Sequence, residues 1–239
     1  MRRIKKRMEP PQLSQWRASN QGDPQGAGIN YGYDVLRQSP EVVQALMESL
    51  LAEQGSLCAY TGKRIDAHSA HVEHLFPQAH GERGQDVEYT NLVACWPQPN
   101  GPHGEYGAHP KADWPNAEEQ HFFVSPLSAE CEARFRFNNR GEIAPCADGD
   151  LAAETTIQRL KLKHKTLTAL RKSEIDGVLG KERKLDLKKA RKRLTNLEAT
   201  ERDLDAGANV SLEPYCFVLK QVLVKFIRTV ERLRKAKKG

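Results

Sequence analysis

The sequence predicts an α+β protein, and three patterns predict it. Short alternating apolar runs lie between residues 57 and 96, Phe-rich alternating runs lie between 121 and 147, and helical-period stretches fill 40–54 and the chain from Glu154 onward. They divide the chain into an extended N-terminal arm (1–38), a central unit of helix, hairpin, short helix and small strand region (39–150), and a basic helical bundle (151–239). At 239 residues the chain is long enough to bury a core.

Residues 1–38 are polar, carry Pro10-Pro11 and give little periodic signal, so they read as an arm anchored by Trp16, Tyr31 and Tyr33. Ser39-Pro40-Glu41 then supplies an N-cap, a first-turn proline and an acid suited to the helix dipole. Val43, Leu46, Leu50 and Leu51 follow at helical spacing, and Gly55 closes the helix. Leu57–Ile65 alternates around Thr61-Gly62 and predicts a short hairpin, Ala70–Phe76 predicts a strand ended by Pro77, and Asn91–Trp96 predicts the returning strand. Residues 97–110 are too rich in turn formers to be regular, and a short helix begins near His109. Arg134-Phe135-Arg136-Phe137 and Ile143 predict further strands, half-buried on one side. Beyond Glu154 three or four helices follow, broken at Gly177 or Gly180; the last carries Leu219, Val222, Leu223, Phe226, Ile227, Val230 and Leu233 as one stripe expected to be core.

Charge is uneven. Residues 151–239 hold 23 Lys/Arg against 11 Asp/Glu, whereas residues 1–150 hold 14 against 20. A Lys-rich domain is the electrostatic signature of a phosphate-backbone partner. Five Cys without C-x-x-C spacing, no apolar run near ~18 residues, and no apolar segment after the charged start predict a reduced, cytoplasmic protein with no membrane association.

Residues 58–113 carry the chemistry. Cys58-Ala-Tyr60, His71-Val-Glu73-His74-Leu-Phe-Pro77, Asn91-Leu-Val-Ala-Cys95 and His109-Pro-Lys111-Ala-Asp113 follow in the order of a metal-dependent phosphodiester-cleaving centre. Cutting a phosphodiester needs an activated water, a positive charge on the non-bridging oxygens and help for the leaving alkoxide. His74 is the candidate base and Glu73 the candidate metal ligand; adjacent strand residues face opposite ways, so a bulge is expected to bring both to one site. Asn100, His103 and His109 are candidates for the next ligand, with His109 favoured. One carboxylate and one imidazole or amide suit Mg²⁺ or Mn²⁺. Asn91 is expected to act indirectly by holding the loop that fixes the His74 ring. Lys111, Arg134 and Arg136 are candidate nucleic-acid contacts, and Arg134 and Arg136 alternate with aromatic rings suited to stacking.

Together these segments resemble the HNH endonucleases of the ββα-metal fold, and more narrowly the HNH subunit of Septu-type antiphage systems, including those attached to retrons. The Met1-Arg-Arg-Ile-Lys-Lys start, Pro10-Pro11, Trp16 and the helix before Cys58 extend the resemblance over about the first half of the chain. It implies a ββα-metal HNH core with His74 as general base, Glu73 as metal ligand, Asn91 as structural asparagine and a last ligand near His109. It implies an endonuclease acting on DNA or on structured RNA such as tRNA, restrained or activated by an ABC-type ATPase and, in retrons, accompanied by a reverse transcriptase and its RNA–DNA product. Members often hold a structural Zn²⁺ between two C-x-x-C knuckles. Tyr60-Thr61 and Gln98-Pro99 stand where the second cysteines belong, so Cys58 and Cys95 either share zinc with a histidine such as His80 or His103 or are buried small apolar residues. A noncatalytic scaffold on a degenerate HNH frame is the alternative.

Overall fold

The structure is a computed structural model that describes residues 1–20, 31–98, 101, 104–180 and 185–237. Helix α1 (Pro11–Asn20) occupies part of the segment expected to be an extended arm. Pro11 takes the first helical position and only Leu13 and Trp16 are buried, which is too sparse a stripe to show as a periodicity. Residues 1–10 have no regular structure, yet they close over the core. Met1 and Ile4 are buried, Ile4 N–H donates to Pro126 O at 2.7 Å, and Lys6 Nζ lies 2.6 Å from the buried Glu53. Glu53 also accepts from Arg7 N–H and from the Tyr89 hydroxyl. Trp16 stacks on Tyr31 at 5.8 Å, just before a one-turn helix, α2 (Tyr33–Leu36).

Helix α3 (Pro40–Gln54) forms as its end signals require. Pro40 and Glu41 open it, Leu46 and Leu50 are fully buried, and Gly55 ends it at φ 61° while Ser56 N–H donates back to Leu51 O. A side chain on Gly55 would be strained by that φ and would meet Leu212 at 2.6 Å. Gln54 then clamps the next layer: its amide donates to Leu57 O and Ala94 O and accepts from Ala94 N–H.

Strands β1 (His71–His74) and β2 (Leu92–Cys95) form a two-stranded antiparallel sheet, with His71 opposite Cys95 and His74 opposite Leu92. The hairpin expected over Leu57–Ile65 is reduced to one bridge, Leu57 to Arg64, because the turn itself occupies 58–63: Gly62 N–H donates to Cys58 O and Cys58 N–H to Lys63 O. Helix α4 (Ala108–Lys111) is a single turn at the position expected near His109.

Strands β3 (Phe135–Phe137) and β4 (Ile143–Pro145) make a second antiparallel pair, with Phe135 and Phe137 buried and Arg136 exposed between them. Helices α5 (Leu151–Arg159), α6 (Lys165–Leu179), α7 (Leu187–Asp205) and α8 (Cys216–Ala236) complete the chain, and α8 packs against both α6 and α7. Gly180 ends α6, while Gly177 lies within it. The α8 stripe is core only in its first half: Leu219, Val222 and Leu223 are buried, whereas Leu233 is 55% exposed. Toward that end α7 meets α8 through an ion pair, Arg191 with Glu231. One apolar cluster runs from Met1 to Leu223, so the arm, the central unit and the helical bundle share a core. No helix among the described residues is long and apolar enough to cross a membrane.

Candidate metal centre

β1 runs without a bulge, so the period-two rule holds and the expected meeting of Glu73 and His74 on one face does not occur. Val72 and His74 face the interior; His71 and Glu73 share the other face. The imidazole beside Glu73 is therefore His71, with Nε2 3.3 Å from Glu73 Oε2. The sequence held that signal in the i, i+2 spacing of the two residues. The His71 Nδ1 is bonded to Pro97 O, and its ring centroid lies 6.1 Å from that of His109. His109 Nδ1 accepts from Gly104 N–H at 2.8 Å. Asn100 and His103 lie outside the described residues.

Lys111 was assigned to nucleic acid, but its side chain is 1% exposed and turned inward. Its ammonium lies 3.1 Å from Glu73 Oε1 and donates to His74 O at 2.8 Å. One turn of α4 suffices to deliver it, since Gly107 (φ 85°) reverses the chain immediately before. Tyr60 OH, 3.3 Å away, is a third donor to Glu73. Burial pushes the Glu73 carboxyl up, but the Lys111 ammonium and the His71 ring outweigh it and hold the group below its ordinary value. Burial lowers His71, and Glu73 together with Pro97 O more than reverse that, so His71 is raised.

On the other face His74 packs edge-on against Tyr33, with ring centroids 4.7 Å apart. Its Nε2 is bonded to Asp86 O at 2.9 Å, and burial lowers its pKa. Burial favours the neutral ring, and the Asp86 carbonyl, which pulls the other way, orients it. Asn91 holds the loop that carries Asp86: its Oδ1 accepts from Phe76 N–H at 2.8 Å, and its Nδ2 donates to Phe76 O and Gln85 O at 3.0 and 3.1 Å.

Behind the hairpin, the thiols of Cys58 and Cys95 are hydrogen-bonded to each other. Burial raises Cys58, but the Cys95 S–H, the Thr61 hydroxyl and the N–H groups of Trp96 and Thr61 bring it down to about 6. Burial and the neighbouring Cys58 push Cys95 well up. His80 is exposed on the turn after Pro77, away from this buried pair. Among the described residues no group of three His, Cys, Asp or Glu side chains converges as a metal site.

A structural zinc takes four protein donors; among the described residues two thiols meet here, and His103, one of the histidines expected to complete such a site, lies outside them. A hydrated Mg²⁺ or Mn²⁺ keeps several waters and needs as few as one carboxylate and one further donor, and Glu73 with the adjacent His71 would fit that need. Of the two arginines singled out in β3 and beside it, Arg134 forms a two-point ion pair with Asp150, and Arg136 is exposed. No protein-family model and no curated protein matches the chain.

Proposed function

We propose that this chain is a divalent-metal-dependent endonuclease of HNH type, hydrolysing phosphodiester bonds of DNA or structured RNA at the β1–β2–α4 centre. One observation carries the reading. A carboxylate with an imidazole beside it and a buried His on the next residue sit on a two-stranded hairpin, whose connecting loop is locked by an asparagine. Among the described residues β1 pairs with β2 alone, which leaves it an outer edge that Lys111 reaches at the His74 carbonyl. A phosphate lying across that edge meets Glu73 from one face and His74 from the other.

In this reading Glu73 and His71, with His109 the next imidazole along, would hold Mg²⁺ or Mn²⁺, which when bound would supply positive charge to the phosphate oxygens. The remaining roles belong to the chain. His74 donates from Nε2 to Asp86 O, which leaves Nδ1 as the acceptor for a proton of the attacking water. Asn91 is a positioning residue that acts through the loop. Lys111, bonded to both Glu73 and the His74 carbonyl, fixes the carboxylate against the strand edge. The resemblance to Septu-type subunits extends the proposal to an antiphage complex with an ABC-type ATPase and, in retrons, a reverse transcriptase with its RNA–DNA product.

The competing reading is a noncatalytic scaffold that binds nucleic acid or the ATPase. It is favoured by the fact that both Glu73 oxygens already have protein partners in Lys111, Tyr60 and His71. Labelled duplex DNA, single-stranded DNA and total tRNA, incubated with Mg²⁺ or Mn²⁺ and with or without the ATPase, decide between them. Wild type is expected to cut at least one substrate, and Glu73→Gln and His74→Ala to abolish that cut. Identical behaviour of wild type and both variants under every condition sinks the catalytic reading.

A further inference from the structure

The strongest concentration of unpaired charge lies away from the hairpin centre. Two cavities, about 970 and 840 Å³, lie on either side of β3 and share Arg136, Phe137 and Lys225 as lining. The first is walled by α6 and the β3–β4 turn, the second by α8. Arg136, Arg140, Lys163, Lys165, Lys225 and Arg228 line them, are exposed, and make no ion pair among the described residues. The two acids in the walls are already engaged: Glu142 accepts from Asn138 Nδ2, and Glu132 from Lys220 Nζ and Arg3 N–H.

We infer that this continuous groove is a binding track for the phosphate backbone of a nucleic acid, separate from the hairpin centre. The inference rests on the nuclease reading for its purpose but on these residues for its chemistry. Lys225, Arg228 and Arg232 stand at i, i+3 and i+7 of α8, one helix face spanning about 10 Å. Each strand of a duplex presents a charge every ~3.4 Å of axis, so about three phosphates of one strand pass along that face. Lysines at i and i+7 of α6 (Lys165 and Lys172) form the opposite wall. An acidic protein partner fits less well. Stable protein interfaces bury apolar anchors and are depleted in Lys, whereas none of the exposed large apolar residues, Met8, Leu151, Leu170 and Leu233, lines either cavity.

The groove is also mechanically tied to the centre. Phe137 in its floor packs on Phe217 at 5.6 Å, and Phe217 fills the space over Gly62, where an added Cβ would lie 2.4 Å from the ring. Gly62 belongs to the turn that holds Cys58 against β2. One aromatic pair thus connects the floor of the track to the frame of the hairpin.

Fluorescence anisotropy on the full chain in EDTA tests the assignment without cleavage. The probes are labelled duplex DNA, single-stranded DNA and an RNA hairpin, each titrated over a range of salt. The triple variant Arg136→Glu/Lys165→Glu/Lys225→Glu is compared with a charge-matched triple on exposed α7 positions, Lys188→Glu/Lys189→Glu/Lys192→Glu. The groove triple should weaken the best ligand roughly ten-fold or more and flatten the salt slope by about 3, while the α7 triple changes both little. Whichever probe binds best identifies DNA or RNA as the occupant. Equal losses in the two triples would reduce the effect to net charge and overturn the track. So would no binding of any probe by wild type, or loss of a poly-Glu peptide with nucleic-acid affinity intact. Binding here with no His74- or Glu73-dependent cut in the Mg²⁺ and Mn²⁺ assays leaves the track standing and sinks only the catalytic proposal; such a cut with an inert groove does the reverse.

Discussion

Hairpins β1–β2 and β3–β4 are each a pair of short antiparallel strands, yet the first turns its charged side chains into the protein and the second turns them toward solvent. Glu73 on β1 is ringed by Lys111, His71 and Tyr60, and the Lys111 ammonium is almost wholly buried. Arg136 on β3 is exposed between two buried phenylalanines and has no acidic partner among the described residues. Removing water from a charge is costly unless a partner replaces it, so the first hairpin can keep its charges only as a set. The second keeps its charge hydrated and available to a ligand. The difference separates charges held as a buried set from a charge left in water.

The sharpest way to break that comparison is to remove one member of the buried set. Glu73→Gln leaves the Lys111 ammonium buried without a counter-charge and is expected to cost about 3 kcal/mol or more by urea denaturation. Glu73→Gln/Lys111→Met removes both charges and should recover most of that stability. If the single variant is as stable as wild type, Lys111 is not confined as described, and the contrast between the hairpins collapses.

Asn91→Ala tests the same hairpin through its loop. Three hydrogen bonds disappear and the Phe76 N–H loses its acceptor, so a loss of about 1–3 kcal/mol is expected. Faster hydrogen exchange at Phe76 and in residues 85–87 would place the damage in the loop, and unchanged exchange there would refute the clamp. Much of this hairpin was legible in the sequence, because its signals are local. The end residues of α3, the strand ended by Pro77, the returning strand and the turn at His109 all follow from neighbours in the chain. Even the grouping of His71 with Glu73 is present as a spacing of two, against the bulge that a shared site for Glu73 and His74 demanded. What the sequence did not show are the long reaches. Lys111 meets Glu73 across 38 positions, Lys6 meets Glu53 across 47, and helix α1 hides behind two apolar residues. Such contacts depend on the packed fold, which no periodicity encodes.

The smallest effects belong to the second hairpin, where two arginines two residues apart should behave differently. Arg134 holds Asp150 at two points, and Asp150 also caps α5 by accepting from Ala153 N–H at 3.0 Å. Arg134→Ala is expected to cost about 1 kcal/mol, since the pair is partly exposed. The Arg134 guanidinium, ahead of the Ala153 N–H, holds the Asp150 carboxyl below its ordinary range. A carboxylate lowered in the folded state contributes stability above its unfolded pKa of about 3.9, and that contribution is lost as pH falls through this value toward the folded one. Arg134→Ala should therefore destabilise the protein at neutral pH and flatten the acid side of its stability curve. Arg136→Ala should change stability by less than about 0.5 kcal/mol at any pH, because no ion pair or buried contact is lost. Thermal melts from pH 3 to 7 on the two variants read this directly. Equal acid profiles would mean that both arginines serve the fold, and the groove would lose the exposed cation at its centre.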